Sequence, residues 1–255
     1  MAQSVERCQT GIEGLDELVG GGFPRGRCIL LTGGCGTGKT TLAVQFLVNG
    51  AEKYNEPGVL LTLEQSASEI KNDMLAYGLD LTKLEESGKI IIIDTSLSKV
   101  GLKDFVVDVP ITPKKSFSLL PGEFDLEKIT KITCETAKKI GAKRVIIDSL
   151  PAIDVLMQDK FNLRKLLVNM NYELKNHGLT AIMISETVED DGISKYEIEE
   201  YVTDGVIILK ANEALDTRTI RIRKMRLTKH SLKPMTLEFT GKGLKVASAI
   251  KKGIV

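Results

Sequence analysis

The stretch CILLTGGCGTGKTTLAVQ, residues 28–45, restricts what this chain can fold into more than any other. An apolar run from Cys28 to Leu31 reads as a buried strand, a glycine-rich bend follows, and from Lys39 the apolar residues recur at helical spacing. The bend fits Gly-x-x-x-x-Gly-Lys-[Ser/Thr] with Gly33, Gly38, Lys39 and Thr40. Glycines let the backbone turn until several N–H groups point at one spot, and a helix N-terminus adds partial positive charge there. Gly34, Cys35, Gly36, Thr37, Gly38, Lys39, Thr40 and Thr41 therefore form a cradle for a polyphosphate.

The remainder of the chain supplies a sheet for that loop. Ahead of it, TGIEGLDELVGGGFPRGR combines a short amphipathic helix around Ile12 to Val19 with a Gly-Gly-Gly-x-Pro bend. Behind it, a helix over 41–54 leads to strands at Val59–Leu63, Ile90–Ile93, Val145–Ile147 and Thr180–Ile184. Helices separate these strands. One begins at Ser66 with Glu69 at the capping-box position and Ile70, Met74 and Leu75 as its apolar stripe; others run over 125–140 and 161–176. Periodicity fails from 97 to 122, which reads as a long loop on the catalytic edge, and the acidic stretch 189–201 reads as an exposed loop with a short helix. After 205 the pattern becomes strand after strand: Gly205–Lys210, Thr219–Arg226, Pro234–Phe239 and Leu244–Val246.

This alternation predicts an α/β fold, a mainly parallel twisted sheet with helices on both faces and a β-rich C-terminal part. One domain over 1–255 is expected, with the phosphate-loop core at 27–186 and the β-rich part at 205–247. Ligands of such sheets sit beyond the carboxyl ends of the strands, where Glu64, Asp94, Asp148 and Glu186 all fall.

Each candidate has a chemical reason. Lys39 presents a point charge to the β- and γ-phosphates, Thr40 offers a hydroxyl to Mg²⁺, and Thr41 reaches the α-phosphate. Asp148 ends the apolar run RVII, as a Mg²⁺ carboxylate does in this arrangement. Glu64 ends the strand after the loop's helix, where a carboxylate can take a proton from an attacking water, and Gln65 can orient that water. Lys224 and Arg226 lie two apart on a predicted strand, so they share a face. Spacing alone leaves two readings for them, a basic strand edge that discourages aggregation or a pair that reaches a neighbouring subunit's phosphate.

Composition narrows the partners. Thirty-five Lys and Arg against 34 Asp and Glu give a formal charge of +1, which supplies no global field toward nucleic acid or membrane. No window has the length of a membrane span and the N-terminal residues lack a signal-peptide core, so a cytoplasmic location is expected. Cys8, Cys28, Cys35 and Cys134 show no CxxC spacing, and reduced thiols are expected. Two classes compete: a switch that holds nucleotide but hydrolyses it very slowly, and a recombinase-like DNA binder, with Lys114, Lys115, Phe117 and the basic run 218–233 in its favour. Few aromatics and no Trp count against it.

TGIEGLDELVGGGFPRG, GGCGTGKTT, VLLTLEQS, RVIIDS, YVTDGVIIL and KMRLTKHS, in this order, resemble the KaiC family of RecA-like ATPases in its single-domain form. The resemblance implies ATP or ADP with Mg²⁺ at subunit interfaces, a homo-oligomer, in particular a hexameric ring, and an Mg²⁺-dependent ATPase that regulates or remodels an unidentified protein partner. It carries the general-base role to Glu64, the Mg²⁺ role to Thr40 and Asp148, and the contact across the interface to Lys224 and Arg226, with His230 bordering the nucleotide. Two departures stand out. Family members often have Glu-Glu where this chain has Glu64-Gln65, and Glu200-Tyr201 stand where tandem-domain clock members carry an autophosphorylated Ser-Thr pair, so autokinase activity is not expected.

Overall fold

Four consecutive isoleucines, 90–93, can avoid water only where both faces of a strand are covered, and all four are buried. A computed structural model of the chain describes residues 5–96, 116–118, 126–156, 160–187 and 192–247. In it the isoleucines form β5 (Ile90–Asp94) of a twisted sheet. The other parallel strands are β3 (Cys28–Gly33), β4 (Gly58–Thr62), β6 (Phe117–Ser118), β7 (Arg144–Asp148), β8 (Thr180–Ile184) and β9 (Gly205–Asn212). The antiparallel strands β10 (Thr217–Met225), β11 (Met235–Thr240) and β12 (Gly243–Ala247) extend one side, and β1 (Arg7–Cys8) with β2 (Phe23–Pro24) makes a separate ribbon. Among the described residues the order is β12-β11-β10-β9-β3-β8-β7-β4-β5-β6.

Alternate residues of each central strand feed two cores. Ile29 and Leu31 join α2 (Lys39–Lys53), α3 (Ala67–Leu75), α4 (Leu81–Glu86) and the lead-in segment on one face. Cys28 and Leu30 join α5 (Leu126–Ile140) and α6 (Lys160–Asn176) on the other. This is the mixed α/β architecture read from the alternation of apolar runs. Among the described residues no helix is long and apolar enough to cross a membrane.

Local readings differ from the structure in four places. The lead-in helix contracts to α1 (Leu15–Leu18), with Ile12 buried ahead of it. Leu75 is 59% exposed, so the buried stripe of α3 is Ile70 and Met74 alone. Of the loop expected at 97–122, residues 116–118 are described and contain β6, which pairs with β5; the rest, Lys114 and Lys115 included, lies outside the described residues. In the stretch expected to be exposed at 189–201, residues 189–191 lie outside the described residues, whereas Ser194, Tyr196, Ile198 and Glu199 are buried around α7 (Glu199–Val202).

The amino ends of the strands are organised by a buried cation. Arg144, the first residue of β7, has 0% exposure. Its Nη1 donates to Phe46 O at 2.8 Å, its Nη2 to Gln9 O at 2.8 Å and its Nε to Glu56 Oε2 at 2.8 Å, while its Cζ lies 4.4 Å from the Phe46 ring centroid. Burial pushes the Glu56 carboxyl up, but hydrogen bonds from Arg144 and Arg25 outweigh this and hold it below its ordinary range. Gly50, inside α2, makes room: a Cβ there would lie 2.4 Å from both Cδ and Nε of Arg144. Helix propensity alone would make Gly50→Ala stabilising by about 1 kcal/mol. Because Arg144 is fixed by its partners, we expect instead a net loss of about 1–2 kcal/mol from overpacking, read as a lowered urea midpoint. A raised midpoint would show that Arg144 yields.

Candidate functional site

Parallel pairing in step brings the carboxyl ends of the strands to one edge. Thr62 pairs with Asp148 on one side and Asp94 on the other, and Leu63 N donates to Asp148 O at 2.6 Å. Asp94 is occupied there by structure, since its Oδ2 accepts from Ala67 N at 2.7 Å and so caps α3. Glu64 follows β4, and its Oε2 accepts from Ser149 Oγ at 2.8 Å. Thr62 Oγ1 donates to Gln65 O at 2.6 Å, fixing the turn that carries both Glu64 and Gln65.

The phosphate loop lies between β3 and α2. Gly38 has φ 98°, and a Cβ on it would lie 2.9 Å from Phe239 Cζ, so glycine is required both by the backbone and by the ring beside it. Lys39 Nζ donates to the carbonyls of Gly33 and Gly34, each at 2.8 Å. Burial lowers its pKa, opposed by the negative potential of Glu186, Asp148 and Glu64. Cys35 is exposed in the loop, and Cys8, Cys28 and Cys134 are buried free thiols.

Asp148 is 8% exposed. Burial pushes its carboxyl up to about 6, partly offset by a hydrogen bond with Thr40 and by Lys39, while Glu64 pushes it further up. A buried carboxyl whose charged form is only partly compensated, beside a threonine hydroxyl at the start of α2, suits a hard, oxygen-seeking dication. The residues present therefore fit Mg²⁺.

A cavity of about 700 Å³ opens beside the loop, lined by residues 36–41, Gln65, Asn72, Asp73 and Tyr77, with Arg218 and Phe239 closing one side. Its size lies in the range of small-molecule sites. Arg218 Nε donates to Gly36 O at 3.1 Å, and its guanidinium lies over the Phe239 ring at 5.0 Å. Sequence reasoning left Arg218 inside an undifferentiated basic run. A signal was present: Arg218 and Lys224 lie six residues apart on one strand, roughly 20 Å, so they serve opposite ends of the sheet.

Lys224, Arg226 and His230 are not brought to this cavity. Lys224 pairs with Val206, which pairs with Leu30, three residues short of Gly33 and roughly 10 Å from the loop's edge. The ladder shifts register between Ile222 and Lys224, and β10 ends at Met225, so the pair does not share a simple strand face. Arg226 N donates to Asp204 O, ahead of β9, and His230 Nδ1 lies 3.3 Å from Ser231 O.

The raised Asp148 pKa has a signed consequence. Between its ordinary 3.8 and about 6 the folded chain holds a proton that the unfolded chain releases, so this group's contribution to stability falls as pH rises through that window. Asp148→Asn in the metal-free, nucleotide-free protein should gain on the order of 2 kcal/mol over the parent above pH 6, the gain vanishing near pH 4. Urea denaturation at both pH values checks this; a pH-independent difference would show that Asp148 titrates normally.

Comparison with known proteins bears on the same geometry. A family profile described as the KaiC ATPase matches residues 8–251. The circadian clock oscillator protein KaiC of Parathermosynechococcus lividus is 33% identical over 247 residues, 96% of this chain and 43% of that protein. The circadian clock protein KaiC2 of Synechocystis sp. is 35% identical over 230 residues, 89% of this chain and 38% of that protein. The chain thus spans less than half the length of these relatives. The crystal structure of the KaiC-like protein PH0186 from Pyrococcus horikoshii OT3 superposes with TM-score 0.80 at 38% identity, covering 96% of this chain and 100% of that one. A likeness that runs from the ribbon of β1 through the phosphate loop to β12 is one of the whole sheet, RecA-like in fold, and the chain belongs to the KaiC family of ATPases.

Proposed function

We propose that the chain, as a single domain, binds and hydrolyses ATP at the interfaces of a homo-oligomeric ring, a hexamer, and that the ring's nucleotide state regulates or remodels a protein partner. One observation carries this reading: Lys39, Thr40, Asp148 and Glu64 share one edge of the sheet, while Lys224 and Arg226 lie toward the other end. In a head-to-tail ring that other end faces a neighbour, and the pair gains a phosphate it lacks in its own protomer.

The loop's backbone N–H groups hold the β-phosphate, and Lys39 exchanges the Gly33 and Gly34 carbonyls for γ-phosphate oxygens. Thr40 and Asp148 are the residues that would hold Mg²⁺, which when bound neutralises charge between the β- and γ-phosphates. Glu64, steadied by Ser149, accepts a proton from the attacking water, and Gln65 orients that water. The water's oxygen bonds to the γ-phosphorus as the bond to the bridging oxygen breaks, giving ADP and phosphate. Lys224 and Arg226 of the adjacent protomer donate to the γ-phosphate as this charge redistributes, and His230 borders the nucleotide. Arg218 and Phe239 flank the nucleotide from its own protomer. Autokinase activity is not part of the proposal, because Glu200, which shares the Ser194 hydroxyl with Glu199, stands where clock members would carry a phosphoacceptor.

Phosphate release from ATP tests the base. Glu64→Gln should lower turnover by at least about 100-fold while leaving ATP affinity intact. Normal turnover in that variant would remove Glu64 from the role. Particle mass tests the interface: with ATP and Mg²⁺ it should approach six times the 27.9 kDa chain. A monomer that hydrolyses at the full rate would overturn the ring.

A further inference from the structure

The segment between β8 and β9 is polar in sequence, yet Glu199 is 1% exposed and both its carboxylate oxygens are engaged. Oε1 accepts from Ser185 Oγ at 2.8 Å, and Oε2 accepts from Ile198 N at 3.2 Å and Tyr196 N at 3.3 Å and shares the single Ser194 hydroxyl, 2.7 Å away, with the Glu200 carboxylate. Burying a carboxylate costs several kcal/mol unless such donors surround it, so a solvated loop would not keep it there. Ser185 directly follows β8 and precedes Glu186 on the phosphate edge. The carboxylate therefore ties α7 to the strand end that lies beside the protomer's own nucleotide site.

The other side of α7 holds a cation. Lys224 Nζ donates to Glu200 O at 2.9 Å and Thr203 O at 2.6 Å, backbone carbonyls near the end of α7 where the helix presents partial negative charge. The residue after Lys224's second acceptor is Asp204, whose buried Oδ1 lies 3.4 Å from Arg226 Nη1. Both members of the basic pair are thus seated on 199–204. Beyond them, Arg7 donates to Leu227 O at 3.0 Å and Thr228 Oγ1 at 2.6 Å, which holds the following turn.

We propose that Glu199 is a positioning residue for hydrolysis in the neighbouring protomer: by pinning α7 to the end of β8 it fixes the carbonyls that seat Lys224, and so sets where that ammonium meets the adjacent γ-phosphate. This rests on the interface reading above. It assigns Glu199 an effect that arises in its own chain and is expressed at the next chain's nucleotide.

Mixed rings separate this from a structural or same-site role. Glu199→Gln keeps the side chain's size but sets an amide among donors, and should lower kcat by roughly 10- to 100-fold with nucleotide affinity retained, as expected for a misplaced group. Adding Lys39→Ala protomers, which lack a working loop but keep an intact seat, should restore hydrolysis at the Glu199→Gln protomers' own sites. In a Lys224→Ala background, Glu199→Gln should add no further loss. Lys224→Ala mixed with Lys39→Ala is the control for the interface. Recovery in the control without recovery for Glu199→Gln overturns the positioning role, as does an additive loss in the double variant. No recovery in the control overturns the interface and this inference with it. If Glu199→Gln does not fold, Ser185→Ala, which removes the donor to Oε1 at the end of β8, goes through the same mixing with the same two outcomes.

Discussion

A guanidinium without exposed surface, Arg144, fixes the relation between the two elements on which the phosphate site is built. It opens β7, and Asp148 closes the same strand. Its Nη1 bonds the Phe46 carbonyl in α2, and the start of α2 supplies Lys39 and Thr40. The two elements are therefore joined twice, by Arg144 and Phe46 near the amino end of β7 and by Asp148 and Thr40 at its carboxyl end. Buried ion pairs are weak sources of net stability, because desolvation consumes most of their attraction. What Arg144 supplies is definition: with Glu56, Gln9 and Phe46 all engaged and Gly50 leaving it room, α2 has one depth at which it can pack on β7. That depth decides where the loop's N–H groups lie relative to Asp148.

The sheet is electrically polarised along its strands. At the carboxyl edge Glu64, Asp148 and Glu186 surround one lysine. Toward the amino edge Asp204 is surrounded by Arg27, Lys175 and Arg226, with Lys224 seated close by. Edges of opposite character on one molecule favour head-to-tail contact, which closes into a ring when the rotation between copies allows. The β-rich part bridges both edges, because β10 runs from Arg218 at the phosphate loop to Lys224 at the far end. One strand thus borders its own phosphate loop with its first residues and, in the proposed ring, a neighbour's nucleotide with its last.

What could be read from sequence follows from which forces are local. The phosphate loop is a backbone requirement written in glycines, the parallel sheet follows from short apolar runs ending in Asp or Glu, and the Ser66–Glu69 capping box is complete within four residues. Arg144 escaped notice because the strand reads from sequence as starting at Val145; the arginine's burial depends on Glu56 and Gln9, distant in sequence. Glu199 escaped for the same reason, as its donors close around it only after β8 and α7 are packed. The separation of Arg218 from Lys224 needed only the rise of a strand, but the break in alternation at Arg223 needed the register itself. Hydrophobic period reports which faces are covered and is blind to charges buried by distant partners.

The three cations proposed to meet phosphate are held differently, and this orders their availability. Lys39 rests on the carbonyls of Gly33 and Gly34, and Lys224 on those of Glu200 and Thr203, so both are paired with neutral acceptors. Burial lowers the pKa of each, and at Lys224 the nearby Arg226 lowers it further. An ammonium disfavoured by burial and hydrogen-bonded only to neutral carbonyls gains on meeting a charged phosphate oxygen, because charge-assisted hydrogen bonds are roughly twice as strong as neutral ones. Arg226 starts from the Asp204 carboxylate, so its transfer to phosphate exchanges one anion for another and leaves Asp204 with Arg27 and Lys175. Of the two proposed to cross the interface, Lys224 is then the cation whose move is driven most by the phosphate itself, whereas Arg226 must give up a carboxylate to donate there. The seat that holds Lys224 is accordingly the one whose position matters most to the adjoining site.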